Sequence, residues 1–503
     1  MATNVRVRFA PSPTGPLHIG GVRTALYNYL FAKKHNGVFI LRIEDTDKSR
    51  YVESAEQYII NALNWCGIPF DEGPNKNEKF GPYRQSERKT LYKQYAEKLI
   101  ANGNAYYAFD TPSELNYSRK EYEKNGETFI YGWHNRKSFK NSISLSAKDV
   151  KARISRGDAF VIRFLNPEND TLTLNDIIRG SIEINTQVLD DKVLFKSDGM
   201  PTYHLANVVD DHLMKISHVI RGEEWLPSLA LHQQLYNAFS WSAPKFAHLP
   251  LILKPTGKGK LSKRDGDKLG FPVFPIKWVD PESQQVARSY QEDGYFSDSV
   301  VNFLALIGWN PGSKQELFNL ANLVDAFDLD RVQKSGARFD PEKIKWFNRH
   351  YMQQQENKSL VTLFKDLNPS ISKIKDSHVE RIIGLVKERA TFVSDFWELS
   401  HFFFIAPFKY EQKSMSKTIK NNTAELMEEL IEKIKPIDDT SKDAIEKKIK
   451  NWIAFKEIGV GRVIMPLRLA LVGSLKGPDV FDIIHLIGKA ETIKRIKHLI
   501  QTV

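Results

Sequence analysis

Residues 5–43 read VRVRFAPSPTGPLHIGGVRTALYNYLFAKKHNGVFILRI, and this stretch decides the fold of the first part of the chain. Apolar residues alternate with arginines over 5–9, which predicts a β-strand with Arg8 on its polar face. Apolar residues then recur at helical spacing and predict a helix over 19–36, with Gly37 as its C-terminal cap. The apolar run 39–43 predicts the next strand. Strand, helix and parallel strand in this order are typical of a doubly wound α/β fold.

The turn between the first strand and the helix is the first candidate functional segment, residues 10–21. Gly20 and Gly21 carry no side chain, so a flat ligand such as adenine can approach the backbone closely. A helix N-terminus offers free N–H groups and the positive end of a dipole. His18 stands at this N-terminus and is predicted to donate a hydrogen bond to phosphate.

The second candidate segment is Lys-Leu-Ser-Lys-Arg at 260–264. It lies in a lysine- and glycine-rich stretch, 254–270, that we expect to be irregular and mobile. A mobile cationic loop can close on a pyrophosphate leaving group and stabilise the negative charge of a transition state. A solvated basic loop or a general RNA contact would explain the same composition when it is considered alone.

Taken together, the two segments resemble the "HIGH" and "KMSKS" signatures of class I aminoacyl-tRNA synthetases. Three further segments resemble the glutamyl-tRNA synthetase family: RIEDTD at 42–47, PTYHLANVVDDH at 201–212 and VIRGEEW at 219–225. Over about 1–345 the motifs follow one another in the order typical of the family. Beyond that, the resemblance is limited to a general helical character.

The resemblance implies a reaction, its substrates and its cofactor. Glutamate and ATP, which arrives with Mg²⁺, would form glutamyl-adenylate and pyrophosphate. The glutamyl group would then pass to the terminal adenosine of tRNA(Glu). Members of this family commonly need bound tRNA before the first step. The catalysis would be chiefly orientation and charge stabilisation, without a side-chain nucleophile.

The resemblance also implies roles for individual residues. Arg8 would pair with the side-chain carboxylate of glutamate, Arg221 would add a second positive contact, and Glu44 would hold the α-ammonium group. The catalytic residues would be His18, Lys260 and Lys263. The glutamate pocket would consist of Arg8, Ala10, Ser12, Glu44, Tyr203, Asn207, Arg221 and Trp225. The ATP site would consist of His18, Gly20, Gly21, Glu224, Ile252 and Lys263.

Each of these residues also has a plain structural interpretation. An arginine in a strand is often only a surface charge, and Tyr203, Trp225 and Ile252 could simply belong to the core. The acidic run 44–47 could cap the following helix, and we expect Asp47 to do so.

The predicted fold is an α/β Rossmann-like catalytic domain split by an α+β insertion and followed by an all-α anticodon-binding region. An all-helical C-terminal half points to the bacterial or organellar type of enzyme. The predicted domains are 1–104, the first part of the catalytic domain; 105–199, an inserted acceptor-stem-binding domain; 200–253, the second part of the catalytic domain; 254–345, a connecting domain with the basic loop; and 346–503, a helical anticodon-binding region, divided into two subdomains.

Charge and cysteine content limit the partners. The formal net charge of +11 favours a polyanion, which the resemblance identifies as the tRNA backbone. The single cysteine, Cys66, excludes internal disulfides and a multi-cysteine zinc site. Some family members carry zinc in the insertion, but the corresponding stretch here, 105–109, has no cysteine, so we expect no zinc. We also expect a cytoplasmic monomer that begins near Met1 and has no membrane segment.

The sequence departs from the family pattern at two places. Gly21 replaces the second histidine of the first signature, which puts more weight on His18 and the loop lysines. The stretch 271–296 is longer than the minimal family pattern, and the sequence assigns it no function.

Several related functions remain open at this stage. One is an enzyme that also charges tRNA(Gln), and a second is a glutaminyl-tRNA synthetase. The others are the short paralogue that glutamylates queuosine and a catalytically dead tRNA-binding protein. The arginines at 8 and 221 favour glutamate over glutamine. The long helical region after 345 disfavours the short paralogue, and the intact signatures disfavour an inactive protein.

Overall fold

The protein is described by a computed structural model that covers residues 4–503, apart from the side chain of Lys48. The chain divides into two compact units, one ending at Ile344 and one beginning at Lys345. The finer division of the chain into five ranges stays a prediction. The expected start near Met1 lies outside the described residues.

The first unit mixes strands and helices. In chain order its elements are β1 (Arg6–Phe9), α1 (Ile19–Lys34), β2 (Val38–Leu41), α2 (Ala55–Trp65), α3 (Lys89–Ala101), β3 (Ala105–Ala108), α4 (Pro112–Lys124), α5 (Ala147–Arg156), β4 (Val161–Phe164), β5 (Thr171–Asp176), β6 (Gly180–Asn185), β7 (Val193–Phe195), α6 (Tyr203–Leu213), β8 (His218–Gly222), α7 (Leu229–Ala238), β9 (Lys245–Leu249), β10 (Ile252–Leu253), α8 (Lys263–Leu269), β11 (Trp278–Val279), β12 (Val286–Ala287), α9 (Ser297–Leu306), α10 (Leu320–Ala326) and β13 (Ala337–Arg338).

The central layer joins strands from distant parts of the sequence. β1 pairs in parallel with β2, and β8 pairs in parallel with β9. β1 and β8 lie side by side. Ser217, the residue just before β8, donates its amide to the carbonyl of Arg6 over 2.9 Å and accepts the amide of Arg6 at its hydroxyl over 2.8 Å. Strands from before residue 104 and after residue 200 therefore share one layer, as expected of a Rossmann-like fold interrupted by an insertion.

The insertion is itself divided between two sheets. β3, β4 and β7 form an antiparallel sheet of their own. β5 and β6 form a hairpin, and β5 also reaches the central layer through a parallel pairing of Asp176 with Phe246 in β9. One strand of the stretch predicted as a separate domain therefore extends the catalytic sheet.

The first strand is buried on both faces, which corrects the expectation of a polar face. Arg6 and Arg8 are as buried as their apolar neighbours. Each guanidinium is satisfied by a carboxylate: Arg6 by Glu72 at 2.8 Å and Arg8 by Asp211 at 3.0 Å. The alternating residues predict the strand correctly, but the charged side of that strand faces ion-pair partners rather than water.

The end of α1 differs in detail from the prediction. Asn36, not Gly37, takes the left-handed conformation, with a φ of 50°. Gly37 follows it and donates its amide to the carbonyl of Ala32 over 2.8 Å, which completes the cap. A side chain is excluded at Gly37 for another reason: a Cβ there would lie 2.3 Å from the carbonyl oxygen of Val5.

The second unit is helical, with its core in the facing apolar sides of the later helices. The elements from residue 341 onward are α11 (Pro341–Gln354), which begins in the first unit, α12 (Asn357–Leu367), α13 (Asp376–Val386), α14 (Asp395–Ser400), α15 (Gln412–Thr418), α16 (Thr423–Ile434), α17 (Lys442–Phe455), α18 (Gly461–Val472), α19 (Val480–Ile487) and α20 (Lys489–Thr502). Over residues 4–503, no helix combines the length and apolar character that crossing a bilayer requires.

Substituting Gly37 by alanine should lower the free energy of unfolding by about 1–3 kcal/mol, the usual cost of overpacking. The Val5 carbonyl cannot move away freely, because it accepts the amide of Val38 over 2.9 Å. Calorimetry on the purified variant measures the shift of the unfolding transition. Gly461→Ala is the control, since its new methyl group meets nothing closer than 3.7 Å. Equal transitions for the two variants would contradict this account.

Candidate active site

Both signature segments and the three further motifs converge on one cavity of about 430 Å³ in the first unit. It is lined by all but one of the residues predicted for the site, namely Arg8, Ala10, Ser12, His18, Gly20, Gly21, Glu44, Tyr203, Asn207, Arg221, Glu224, Trp225, Ile252 and Lys260. The remaining residue, Lys263, lines an adjoining cavity of about 390 Å³, and His18 borders both cavities.

His18 caps α1 and is held as a neutral hydrogen-bond donor. Its Nδ1 accepts the amide of Gly20 over 3.1 Å, so the ring proton sits on Nε2. Burial, assisted by the charge of Lys260, lowers the pKa of His18 to about 4. Nε2 is buried and has no hydrogen-bond partner within the described residues. The ring can therefore offer one uncharged donor to an anionic ligand.

The backbone at the start of α1 is already occupied, which corrects the expectation of free N–H groups. The amide of Ile19 donates to the carbonyl of Val273 over 3.0 Å, and the amide of Gly21 donates to the carbonyl of His18 over 2.8 Å. At Gly21, moreover, a Cβ would lie 2.5 Å from the end of the Leu17 side chain, which would have to shift to make room for it. What this turn leaves available to a ligand is the His18 ring, together with the helix dipole.

The stretch 271–296, to which the sequence assigned no function, supports this turn. Beyond the Val273 contact, the hydroxyl of Tyr58 donates to the carbonyl of Ile276 over 2.7 Å. The ring of Trp278 packs edge-on against Tyr58, with centroids 5.2 Å apart. The stretch therefore contacts the His18 turn through Val273 and Phe274, and contacts α2 through Ile276 and Trp278.

The basic segment is more ordered than the sequence suggested. Lys263 is the first residue of α8, and the helix is capped by the pair Ser262 and Asp265, in which the Ser262 amide donates to the Asp265 carboxylate over 3.0 Å. Lys260 lies in the preceding loop, and its ammonium is 2.9 Å from Glu224. Because this pair is about half exposed, it is weak, and the lysine can exchange its partner for a phosphate.

At the other end of the cavity, four buried charges alternate in sign. Arg8 donates to Asp211 over 3.0 Å, Asp211 accepts from Arg42 over 2.7 Å, and Arg42 donates to Glu44 over 2.9 Å. Glu44 also accepts the side-chain amide of Asn207 over 3.1 Å. Arg42 and Asp211 were not among the predicted site residues. The sign that could have identified Asp211 is its position as a carboxylate in an otherwise largely apolar and buried part of α6.

These charges differ in how well they are satisfied. Burial raises the pKa of Glu44, and the guanidinium groups of Arg42 and Arg8 only partly oppose that rise. For Asp211, burial is outweighed by Arg8 and Arg42, so its pKa is lowered. Glu44 thus faces the cavity as the carboxylate in greater need of a further cation.

Arg221 is a buried cation whose partners are all neutral. Its Nε donates to Nε2 of His248 over 3.0 Å, and its Nη1 donates to the Tyr203 hydroxyl over 2.9 Å. The Tyr203 ring in turn lies against Trp225, with centroids 4.2 Å apart. Arg221 is 5% exposed and forms no ion pair with a carboxylate in the part of the chain that the structure describes. An anion in the cavity would complete its coordination.

Metal binding finds little support in side-chain geometry. Cys66 is buried, and burial raises the pKa of its thiol to about 12, which suits a packing role. Between residues 4 and 503, no three histidine, cysteine or acidic side chains lie together in a way that could hold a metal ion. The absence of zinc stays a prediction, and metal analysis of the purified protein would test it.

The combination of a parallel sheet and two signature segments on one cavity points to the class I aminoacyl-tRNA synthetases. The family model for class I tRNA synthetases (E and Q), catalytic domain, matches residues 4–346, and an anticodon binding domain model matches 359–500. The chain is 61% identical over its full length to the glutamate–tRNA ligase of Christiangramia forsetii, which it also covers completely. It is 51% identical to that of Porphyromonas gingivalis, with 99% of this chain and 98% of the relative aligned.

Solved structures agree with the sequence relatives. A crystal structure of a glutamate tRNA ligase from Elizabethkingia meningosepticum, in complex with its amino acid, superposes with a TM-score of 0.97 at 51% identity. The alignment covers 99% of both chains. The chain therefore belongs to the glutamate–tRNA ligase family. The predicted Rossmann-like catalytic fold followed by a helical anticodon-binding region is confirmed, whereas the roles of individual residues stay predictions.

His18 should not titrate near neutral pH in the folded protein. Its pKa of about 4 lies below the unfolded value of about 6.5. Its contribution to stability is therefore fully present above about pH 6.5 and is lost as the pH falls towards 4. The ring resonance, assigned by its absence from the His18→Gln variant, should stay constant between about pH 8 and 5.5 in NMR spectra. A midpoint near 6.5 would mean that the ring is solvated.

Proposed function

We propose that the protein activates L-glutamate with ATP to give glutamyl-adenylate and pyrophosphate. It then transfers the glutamyl group to the 3′-terminal adenosine of tRNA(Glu), releasing AMP. One observation carries the choice of amino acid: a single cavity places an under-compensated carboxylate, Glu44, and a cation with only neutral partners, Arg221, among its lining residues. Glutamate brings an ammonium group for the first and a carboxylate for the second.

Arg8 and Arg221 share the recognition of that carboxylate in this proposal. Two nitrogens of Arg8 are engaged by Asp211, and its Nη1 makes no hydrogen bond within the described residues. Arg8 can therefore contribute one donor, while Arg221 contributes a charge that no carboxylate of the described residues neutralises. A neutral amide, as in glutamine, would leave Arg221 buried without a counter-ion, which is costly.

ATP binds between the two signatures, with its Mg²⁺. The adenine would lie along Gly20, Gly21 and Ile252, and the phosphates would lie between His18 and the loop lysines. In the transition state, negative charge builds on the phosphate oxygens that leave as pyrophosphate. His18, Lys260 and Lys263 would stabilise that charge by donating to it, so the reaction needs no side-chain base.

The remaining features of the proposal concern assembly and location. The protein acts as a monomer without zinc, in the cytoplasm, where its proposed substrates ATP and tRNA are available. Sedimentation equilibrium tests the monomer, and elemental analysis tests the absence of zinc.

Pyrophosphate exchange tests the reaction itself. The purified protein should exchange labelled pyrophosphate into ATP in the presence of glutamate, assayed with and without tRNA(Glu). We expect glutamate to support exchange and glutamine to fail at the same concentration. Absence of exchange under every condition would remove the enzyme assignment, and a preference for glutamine would remove the choice of substrate.

Arg221→Gln should raise the KM for glutamate by about 30-fold or more, as expected for a charge left without its partner. Arg8→Ala should act in the same direction, and both variants should leave the KM for ATP nearly unchanged. Arg163→Gln is the control, since Arg163 is a buried arginine that bonds the carbonyl of Asp191 away from the cavity. Equal losses for glutamate and ATP would assign the two arginines a purely structural role.

A further inference from the structure

A chain of buried polar side chains runs behind Arg221, on the side away from the cavity. It begins at Asp176, continues through His248 to Arg221, and passes on to His232 and His204. Asp176, His232 and His248 are almost fully buried. Buried polar side chains of this kind are retained only when their hydrogen bonds are satisfied, so the order of donors and acceptors matters.

The Asp176 carboxylate fixes the order of hydrogen-bond donors and acceptors along this chain of side chains. The Asp176 carboxylate lies 2.7 Å from Nδ1 of His248, and a carboxylate can only accept, so the His248 proton is on Nδ1. Nε2 of His248 is then a lone pair, and it lies 3.0 Å from the Nε–H of Arg221. The carboxylate therefore determines the imidazole tautomer, and the tautomer presents an acceptor to the guanidinium.

A protonated His248 would not fit this arrangement. It would present a second N–H to the Nε–H of Arg221 at 3.0 Å, with two positive charges in contact. Burial lowers the pKa of His248, and although Asp176 opposes this effect, the net direction is downward. The carboxylate of Asp176 has a lowered pKa, because its hydrogen bonds to His248 and to backbone amides outweigh the effect of burial. An ionised carboxylate beside a neutral imidazole is thus the stable state.

The other side of Arg221 follows the same rule. Nη1 of Arg221 lies 3.3 Å from Nδ1 of His232, and Nε2 of His232 lies 3.2 Å from Nδ1 of His204. Since the guanidinium can only donate, His232 accepts from it and donates onward to His204. The guanidinium is therefore held between two neutral imidazoles and the Tyr203 hydroxyl, and no carboxylate of the described residues pairs with it to neutralise its charge.

We propose that Asp176 and His248 are positioning residues for substrate recognition: by fixing the His248 tautomer, they aim Arg221 at the side-chain carboxylate of glutamate while keeping its charge available. This inference rests on the proposed role of Arg221. Asp176 belongs to β5 and His248 to β9, so the device is created by the pairing of those two strands.

Asp176→Asn is the most direct test, because it preserves the turn that Asp176 also supports. The Asp176 Oδ1 accepts the amides of Ile178 and Arg179 over 3.0 and 2.8 Å, and the asparagine oxygen can keep both bonds. The asparagine NH₂ would then face Nδ1 of His248, force the proton onto Nε2 and turn a donor towards Arg221. The backbone amide of His248, which now lies 3.1 Å from Oδ2, would keep only its 3.4 Å contact with Oδ1. We expect the KM for glutamate to rise about 10- to 100-fold, the scale of one lost hydrogen bond to a charged group, with the KM for ATP unchanged.

A matched substitution controls for the general cost of altering a buried aspartate. Asp191 is fully buried, pairs with Arg136 at 3.2 Å and accepts a backbone amide, but it lies outside the cavity. Asp191→Asn should lower stability without changing the ratio of the two KM values. If Asp176→Asn changes this ratio no more than Asp191→Asn does, the proposal is wrong.

If Asp176→Asn fails to fold, two variants of His248 test the same proposal. Glutamine at 248 can accept from Arg221 through its oxygen and donate to Asp176 through its NH₂, whereas leucine can do neither. We expect His248→Gln to stay within about 10-fold of wild type in the KM for glutamate, and His248→Leu to exceed this limit. Equal effects of the two substitutions would contradict a positioning role.

The tautomer can be observed without any activity. In ¹⁵N spectra of histidine-labelled wild-type protein, assigned by loss of the signal in His248→Gln, the proton should be on Nδ1 of His248. A proton on Nε2 would overturn the proposal even in an active enzyme. Conversely, if wild type shows the expected tautomer but no exchange with glutamate, it is the proposed function that fails, so the two failures are distinguishable.

Discussion

The constraint on which the rest of this structure depends is the burial of several charges around one cavity. Arg8, Asp211, Arg42 and Glu44 alternate in sign, and each neighbour in the series compensates the next. Taking charges out of water is expensive unless partners replace the water, so the strands and helices that carry these residues must meet accurately. Arg221 stands outside the alternation, and its hydrogen-bond partners among the described residues are neutral. The geometry of β1, β8 and α6 can be understood as the scaffold that keeps this unequal distribution in place.

The two ends of the cavity differ in how firmly they are built. At the end that carries Arg8 and Glu44, the charged groups are buried and bonded at several points. At the end that carries the basic segment, Lys260 is half exposed, and within the described residues it is paired with Glu224 alone. Such a difference suits a reaction in which a small substrate must be selected precisely, while a larger one must enter, react and leave as two products.

Much of the fold could be predicted from short-range patterns, and much of the site from motifs. Alternating residues gave the first strand, helical spacing gave α1, and the signatures led to residues that line one cavity. The errors have physical causes. The helix at Lys263–Leu269 was missed because glycines and lysines conceal the cap formed by Ser262 and Asp265. The first strand was assigned a polar face because a sequence does not show that distant carboxylates will bury its arginines.

The residues that the sequence did not reveal act through long-range pairing. Asp176 and His248 are 72 positions apart, and nothing local to either one marks it as a neighbour of the cavity. Asp211 was quoted within a motif, but its bond to Arg8 spans 203 positions. Local patterns predict which element a residue belongs to. When two carboxylates are neighbours in the sequence, local patterns do not predict which of them will bind a given arginine, because that depends on how the strands assemble.

The pairing of β5 with β9 has a consequence for anyone who wishes to divide this protein. A fragment cut at the sequence boundaries of the insertion would lose the hairpin of β5 and β6, and with it an edge of the catalytic sheet. Chimeras that exchange the insertion between related enzymes would likewise replace Asp176, which bonds His248 behind Arg221. The natural unit for protein engineering here follows the hydrogen-bonded sheet rather than the linear order of the domains, and grafts should keep residues 171–185 with the catalytic core.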